Sequence, residues 1–552
     1  MEASISLNIN DVKTHLVTNK FIFPTASSYN SSECGSKGFH TYGPLGVSLK
    51  NKIVGVWKEL FLTNEIHEID TPLLQSKEVL TNSGHVGKFN DLIISNGKEI
   101  FRADHLVKDF CEKNKIKLEK PIDDLTKDEL LFMVKNYKMI ENYDNAIIES
   151  KNLMFNFGDL YLRPETAQGM FTEFEHFYDN INSLPFGIAQ VGKSYRNEIS
   201  PQPFVRLKEF TQAEIEYFFD PHNENHSLFD KIKDLNLPLL TSSMQLQNIT
   251  DSCIFNIEEA VKSNVIVNQI MGYFLGTAYI FSKRLGLDNE CVRFRQHLPN
   301  ELAHYAVQCW DMEIKLCNGN WLECMGIAHR GDYDLKNHNV KNQNVIKEYS
   351  KKIIKHKLSI VPNQSKENIR KFHTDFKKKI FDNLEEIKTH PSYEYFKDII
   401  LVSETLENLE SVIYPNVIEP SIGIDRIIFA LANNLLKRRK GDTNRILFNL
   451  PLFLAPYDMA IYSLSNNDTL VDFAKKKLSY LTNYFKIHWD YSSVSIGKKY
   501  TRSDSIGIGL TITVDFDTIN DNTVTLRYSK NGDQIRIHVD EIRETINNLI
   551  KN

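Results

Sequence analysis

Residues 205–219 alternate with a period of two. The odd positions Val205, Leu207, Ala213, Ile215, Tyr217 and Phe219 are apolar, interrupted by Glu209 and Thr211. The even positions carry Arg206, Lys208, Phe210, Gln212, Glu214, Glu216 and Phe218. Side chains alternate between the faces of a strand. The pattern therefore predicts a strand with one face on a core and Arg206, Phe210 and Glu214 together on the other. A preceding strand ending near Glu198 aligns Gln190, Ser194, Arg196 and Glu198. A loop at Ser200-Pro201-Gln202-Pro203 joins the two into an antiparallel pair, which brings Arg196, Glu198, Arg206, Phe210 and Glu214 onto one surface. Helical spacing appears at Ile424, Ile427, Ile428, Leu431 and Leu435, with Arg426 in the first turn. From Ile446 onward, strand and helix patterns alternate as in a compact α/β domain.

The apolar run Val265–Phe281 includes Asn268, Gln269 and two glycines, and at 17 residues it falls short of the roughly 20 needed to span a membrane. It reads as a buried helix. Residues 103–152 and 222–290 also read as helical. Residues 335–379 hold thirteen Lys/Arg against three Asp/Glu, a local net charge of +10. That run is either a solvated helical face or a phosphate-facing surface.

Length and charge narrow this picture. A chain of 552 residues implies three or four domains at about 100–200 residues each. A net charge of −5 excludes a globally basic nucleic-acid binder, so any nucleic acid is held by local patches. The seven cysteines are scattered with no C-x-x-C. This argues against a zinc site or a disulfide framework and fits a reducing, cytoplasmic setting. The N-terminal residues carry no apolar signal segment.

Gly187–Ser194 satisfies G-x-x-x-x-G-K-[ST], but its inner residues Ile188-Ala189-Gln190-Val191 favour a strand, and Pro201 stands where a helix would run. The phosphate-loop reading is rejected. For the paired strands, a solvated salt-bridged face and a phosphate-binding surface both remain open. Three further segments weigh on the second side. Tyr161–Gly169 sets Arg163 and Glu165 at a Pro-marked helix start, ahead of a core stripe of Met170, Phe171, Phe174, Phe177 and Tyr178. Asn320–Arg330 carries Glu323 in an otherwise apolar strand, costly unless paired. Arg426 opposes the dipole at a helix start, which suits an anion nearby.

At RPETAQG (Arg163–Gly169), RNEISP (Arg196–Pro201), AEIEYF (Ala213–Phe218), VRFRQH (Val292–His297) and VIEPSIGIDR (Val417–Arg426), the chain resembles the homodimeric glycyl-tRNA synthetases among class II aminoacyl-tRNA synthetases. The resemblance runs from Tyr42-Gly43-Pro44 to the C-terminal domain. It implies an α+β fold: an antiparallel sheet flanked by helices, with helical insertions and a C-terminal α/β anticodon-binding domain. The implied layout is a catalytic domain at 1–102, 161–334 and 411–445. Insertions stand at 103–160 and, basic, at 335–410, a helical segment at 222–290, and the anticodon-binding domain at 446–552. Pro72 would lie at a dimer interface.

The resemblance also implies roles. Arg196 grips the α-phosphate of ATP and Arg426 its γ-phosphate end, the two catalytic arginines. Phe210 stacks adenine with Arg206 beside it, and Asn197, Glu198, Leu207, Glu323 and Cys324 complete the ATP site. Glu323 is the Mg²⁺ contact. Glu165, Glu214, Glu419, Pro420 and Ser421 hold glycine. The partners are ATP, glycine and glycine tRNA, with no membrane and no zinc. Departures from the family pattern are Gln202 for an arginine, His329 for an aspartate, Thr41 for an acid, and no acid after Arg527. The alternative is an inactive, synthetase-like nucleic-acid-binding protein, but Arg196, Arg206, Arg426, Glu165 and Glu214 all stand, which argues against it.

Overall fold

A computed structural model describes residues 5–26, 38–118, 120, 122, 125–303, 306–338, 346–376, 379–381, 383–439 and 442–551. The chain divides into a large unit, 1–338 with 416–552, and a small one, 339–415. The core of the large unit is a nine-stranded sheet. Its strands run in the order Cys253–Asn256, Asn236–Leu240, Val292–Gln296, Gln308–Lys315, Trp321–Gly331, Asn416–Gly423, Glu209–Phe219, Phe186–Tyr195 and Ile66–Glu68. All neighbours are antiparallel except Ile66–Glu68 with Phe186–Tyr195 and Asn236–Leu240 with Val292–Gln296.

The central pair keeps the register that alternation implies, with Gln190 opposite Glu214 and Ser194 opposite Phe210. Its ends differ from the sequence reading. The first strand stops at Tyr195 and the second starts at Glu209. Pro201 and Pro203 remove backbone donors. Gln202 and Arg206 close a tight turn with Phe204 at φ 68°. Gly187–Ser194 lies wholly within the first strand, so its N–H groups serve the ladder rather than a phosphate.

Helix Ile424–Leu435 buries Ile424, Ile427, Ile428 and Leu431 completely. Helix Pro44–Phe61 packs with it and with Gln269–Arg284, whose Asn268 cap accepts from the Met271 N–H at 2.8 Å. Among the described residues no helix is long and apolar enough to cross a membrane.

Three helical readings need correction. The segment beginning near residue 103 belongs to a mixed subdomain. Its sheet of Asn90–Ser95, Ile100–Arg102 and Ile147–Asn152 packs with helices Ala103–Asn114 and Lys127–Asn136. Within 222–290, Cys253–Asn256 is the edge strand of the main sheet and Asn236–Leu240 is the strand next to it; the latter is short and mostly buried, and such a strand shows no alternation to read. In 335–410 the main feature is a long antiparallel strand pair, Ile346–Ile360 with Ile400–Ile413. There, β-branched residues among the lysines outweigh helix propensity. Helix Lys366–Phe376 completes a small core of Leu358, Phe372, Phe376 and Phe396.

The C-terminal part is a five-stranded sheet ordered Ile487–Asp490, Met459–Ser463, Leu510–Val514, Thr523–Tyr528, Gln534–His538, with its own core. Asp504 is fully buried and receives Arg527 through two hydrogen bonds of 2.8 and 3.1 Å.

Candidate active site

Strand pairing carries the site across the sheet. Gln190, Glu214, Ser421, Gly326, Asp311 and Arg295 stand opposite one another in turn on six neighbouring strands. One step along, Glu419, Ala328 and Cys309 form a second row. Of these, Ser421, Gly326, Asp311, Glu419, Ala328 and Cys309 border a cavity of about 490 Å³, while Gln190, Glu214 and Arg295 stand outside its lining.

Carboxylates crowd one end. Glu214 is 1 % exposed. It accepts hydrogen bonds from the Thr166 N–H at 2.9 Å and from Gln212 at 2.7 Å, and from the Ser421 and Thr166 hydroxyls. Burial and then the charge of Glu165 push its pKa up against those donors. Glu165 accepts from Gln168 at 2.8 Å and lies 3.5 Å from His85. Burial acts upward on it as well, yet His85, Arg330 and Gln168 together hold it below the usual range. Glu419 is gripped by Arg330, which also clamps Asp334 at 2.7 and 3.1 Å. Burial, with Glu214 and Glu165, outweighs Arg330 and raises Glu419 to about 8. Glu216 is fully buried, and among the described residues neither carboxyl oxygen has a hydrogen-bond partner; burial and then Glu419 push it well up. Four acids beside one guanidinium make a site short of positive charge, where a bound ammonium would relieve both repulsion and desolvation.

Arg163 fixes the turn that carries Glu165. It is 1 % exposed and donates to the Lys193 and Thr71 carbonyls, each at 2.8 Å. Gly192 makes room for it, since a Cβ there would stand 2.2 Å from the guanidinium.

Cations and the aromatic rings of Phe89, Phe204 and Phe210 line the other end. Arg196 donates to the Pro164 carbonyl at 3.2 Å and lies over Phe89 and Phe210 at 5.4 and 5.3 Å. Arg206 donates to His105 at 3.0 Å. Glu198 is held up by burial against the pull of Arg206 and Arg196, and its buried Oε2 has no partner among the described residues. Arg426 donates to the carbonyls of Val205 and Glu323, both at 3.0 Å, and lies 3.3 Å from the Glu323 carboxylate. These acceptors satisfy the cation at a helix start.

Glu323 corrects the picture of an acid buried in an apolar strand. Its side chain is 53 % exposed. At a bulge, Met312 faces Met325 while Glu313 faces Glu323, which breaks the alternation at Cys324. An exposed carboxylate beside an arginine suits a divalent cation that takes its remaining ligands from water and phosphate oxygens.

Leu207 and Cys324 also border the cavity. Four residues expected at the site are outside its lining: Glu165, Asn197, Glu214 and Pro420. Glu214 reaches the lining through the hydroxyl of Ser421, with Glu165 next to it. Asn197 is tied through its N–H to the Leu153 carbonyl at 2.6 Å. Pro420 lies opposite Ile327 and is buried, because alternation turns it to the apolar side of the strand that presents Glu419 and Ser421. His329, one of the departures from the family pattern, is buried against Phe219 rather than in the site.

Sequence reasoning missed Arg330, Asp311, His297 and Cys309. His297, Cys309 and Asp311 bring metal-ligating atoms within 4.8 Å of one another. One oxygen of Asp311, however, already accepts from His297 at 2.9 Å and Arg295 at 3.2 Å. Burial keeps the Cys309 thiol well above its ordinary value. Arg330 and His297 had a signal: Arg330 ends the segment already marked by Glu323, and His297 ends the VRFRQH segment.

Comparison with known proteins agrees with this geometry. Residues 155–434 match the tRNA synthetase class II core domain (G, H, P, S and T), and residues 458–549 match an anticodon binding domain. The chain is 35% identical to a glycine–tRNA ligase of Methanocaldococcus jannaschii, covering 94% of this chain and 95% of that one. It is also 35% identical to glycine–tRNA ligase 2 of Saccharomyces cerevisiae, covering 94% and 92%. In fold it is similar to a prolyl-tRNA synthetase of Cryptosporidium parvum, at TM-score 0.52 and 13% identity over 99% of this chain and 77% of that one. An identity this high, held over almost the full length of both chains, assigns this chain to the glycine–tRNA ligase family of class II aminoacyl-tRNA synthetases.

Proposed function

We propose that this protein joins glycine to the 3′ end of glycine tRNA through a glycyl-adenylate. The supporting observation is the polarity of one cleft: Glu419 and Ser421 line one end, with the buried Glu214 bonded to Ser421 and Glu165 beside it, and Arg196, Arg206, Phe210 and Arg426 line the other.

Charge-assisted hydrogen bonds from the glycine ammonium to Glu214 and Glu419 orient the amino acid. Its carboxylate, already anionic at neutral pH, attacks the α-phosphorus. The bond from that phosphorus to the bridging oxygen breaks, and pyrophosphate leaves. Arg196 stabilises charge on the α-phosphate, Arg426 grips the γ-phosphate end, and Phe210 stacks the base. In the second step the terminal ribose hydroxyl of the tRNA attacks the glycyl carbonyl, and AMP departs with the acyl oxygen. The work of the protein is positioning and electrostatic stabilisation. A Mg²⁺ ion beside Glu323 would neutralise phosphate charge. The carboxylates also crowd the space where a side chain would point, so alanine is excluded by size.

The reading extends to a cytoplasmic homodimer. In support of pairing, Leu73 and Leu74 beside Pro72 are 42% and 48% exposed, a cost that a partner would remove. Incubation with labelled glycine, ATP and unfractionated tRNA tests the whole reaction. Label in tRNA that is released by mild base supports it, and label confined to free glycine rejects it.

A further inference from the structure

Gly326 is a glycine in mid-strand with no reason for it inside the protein. Glycine weakens a strand, and most buried glycines here have a cause: a Cβ at Gly192 would strike Arg163, and at Gly169 it would lie 2.3 Å from Thr71. At Gly326 the only heavy atom within 4 Å of a Cβ would be Asp311 Oδ1, at 3.9 Å. The space above Gly326 is therefore open, and Asp311 borders the same cavity.

Asp311 is built to present that oxygen. Its side chain is 6% exposed. Its Oδ2 accepts from His297 Nε2 at 2.9 Å and Arg295 Nη2 at 3.2 Å, while no donor among the described residues is bonded to Oδ1. Arg295 is itself anchored by Glu301 at 2.9 Å. The carboxylate is thus fixed, its charge is compensated on one side, and its second oxygen is turned over a floor without side chains.

We infer that Asp311 Oδ1 accepts a hydrogen bond from a ribose hydroxyl lying over Gly326. An ammonium is the poorer fit, because Arg295 already balances the charge and the acids that hold a cation are elsewhere. Asp311 stands two strands from Ser421, about 10 Å at the usual strand spacing. That span fits an acyl phosphate and a pentose reaching from the glycine end. The inference rests on the adenylate-forming reading. Two riboses share this chemistry, that of ATP and that of the terminal nucleotide of the tRNA.

The test compares ATP with 2′-deoxyATP and 3′-deoxyATP in glycine-dependent pyrophosphate exchange. It also compares tRNA ending in adenosine with tRNA ending in 2′-deoxyadenosine in charging. Both comparisons use the native protein, Asp311→Asn and Gly326→Ala. The native protein should lose about tenfold in kcat/KM when the contacted hydroxyl is removed, and Asp311→Asn should lose that discrimination. Collapse of the ATP ratio assigns the nucleotide ribose, and collapse of the tRNA ratio alone assigns the terminal ribose. Unchanged ratios in both arms overturn the inference. Gly326→Ala should raise the KM of the ribose-bearing substrate with an unchanged melting temperature. If Asp311→Asn does not fold, unaltered KM values for ATP and tRNA in Gly326→Ala overturn the inference. Absence of glycine-dependent exchange in the native protein is a separate failure, that of the adenylate reading.

Discussion

Ser421 donates its hydroxyl to Glu214 from the directly opposite position on the neighbouring strand. One carboxylate thereby ties together two segments some two hundred residues apart in sequence. The Thr166 N–H reaches the same carboxylate from a third segment. Long-range pairing assembles the acidic end of the site, and Glu214 is its hub.

Glu214→Gln should therefore raise the KM for glycine far more than the KM for ATP. A hydrogen bond to a charged group contributes about 1.5–3 kcal/mol, or roughly 10–100-fold. Exchange kinetics measured with each substrate varied in turn check this. An equal rise in both constants would mean that the residue acts on the fold rather than on glycine.

Glycine binding should strengthen with rising pH. Glu419 has its pKa raised to about 8 by burial and its acidic neighbours against Arg330, so it is mostly neutral below that pH. The ammonium is held by the ionised form, so binding releases a proton. The KM for glycine should then fall between pH 6 and 8 and level off above, with a slope of at most about tenfold per pH unit. A KM that rises over this range would contradict the assignment of Glu419.

Arg196→Ala should reduce exchange by about 10²–10³-fold, the usual loss when one preorganised donor to developing charge is removed. Binding of tRNA should persist, because the guanidinium lies over Phe210 in the cleft. Near-normal exchange would move the phosphate site elsewhere.

The lysines of the 339–415 unit give a prediction that does not involve the cleft. Lys357, Lys366, Lys371 and Lys379 are exposed. Their joint replacement by Gln should weaken tRNA binding and lower the slope of log affinity against log salt by about 0.7–0.9 for each phosphate that is no longer neutralised. Exchange should be unaffected. An unchanged slope would make this surface a solvated face only.

Local patterns made part of this site legible. The period-two run predicts the face shared by Phe210 and Glu214, and the helical spacing after Gly423 predicts the burial of Ile424, Ile427 and Ile428. Both signals arise from neighbours in sequence that face one core. What stayed hidden depends on register between distant strands. Asp311 and Cys309 join the cleft only because they face Gly326 and Ala328, which no local pattern encodes. The exposure of Glu323 is hidden by a bulge, which breaks the alternation that a strand reading assumes. The strand at Ile346–Ile360 is hidden by the charge around its β-branched residues.

The central claim, glycine activation at a cleft with acids at one end and arginines at the other, is tested most directly by ATP–pyrophosphate exchange with each of the twenty amino acids in turn. The account predicts exchange with glycine and at most a trace with alanine. Exchange with another amino acid in preference to glycine, or with none, would contradict it.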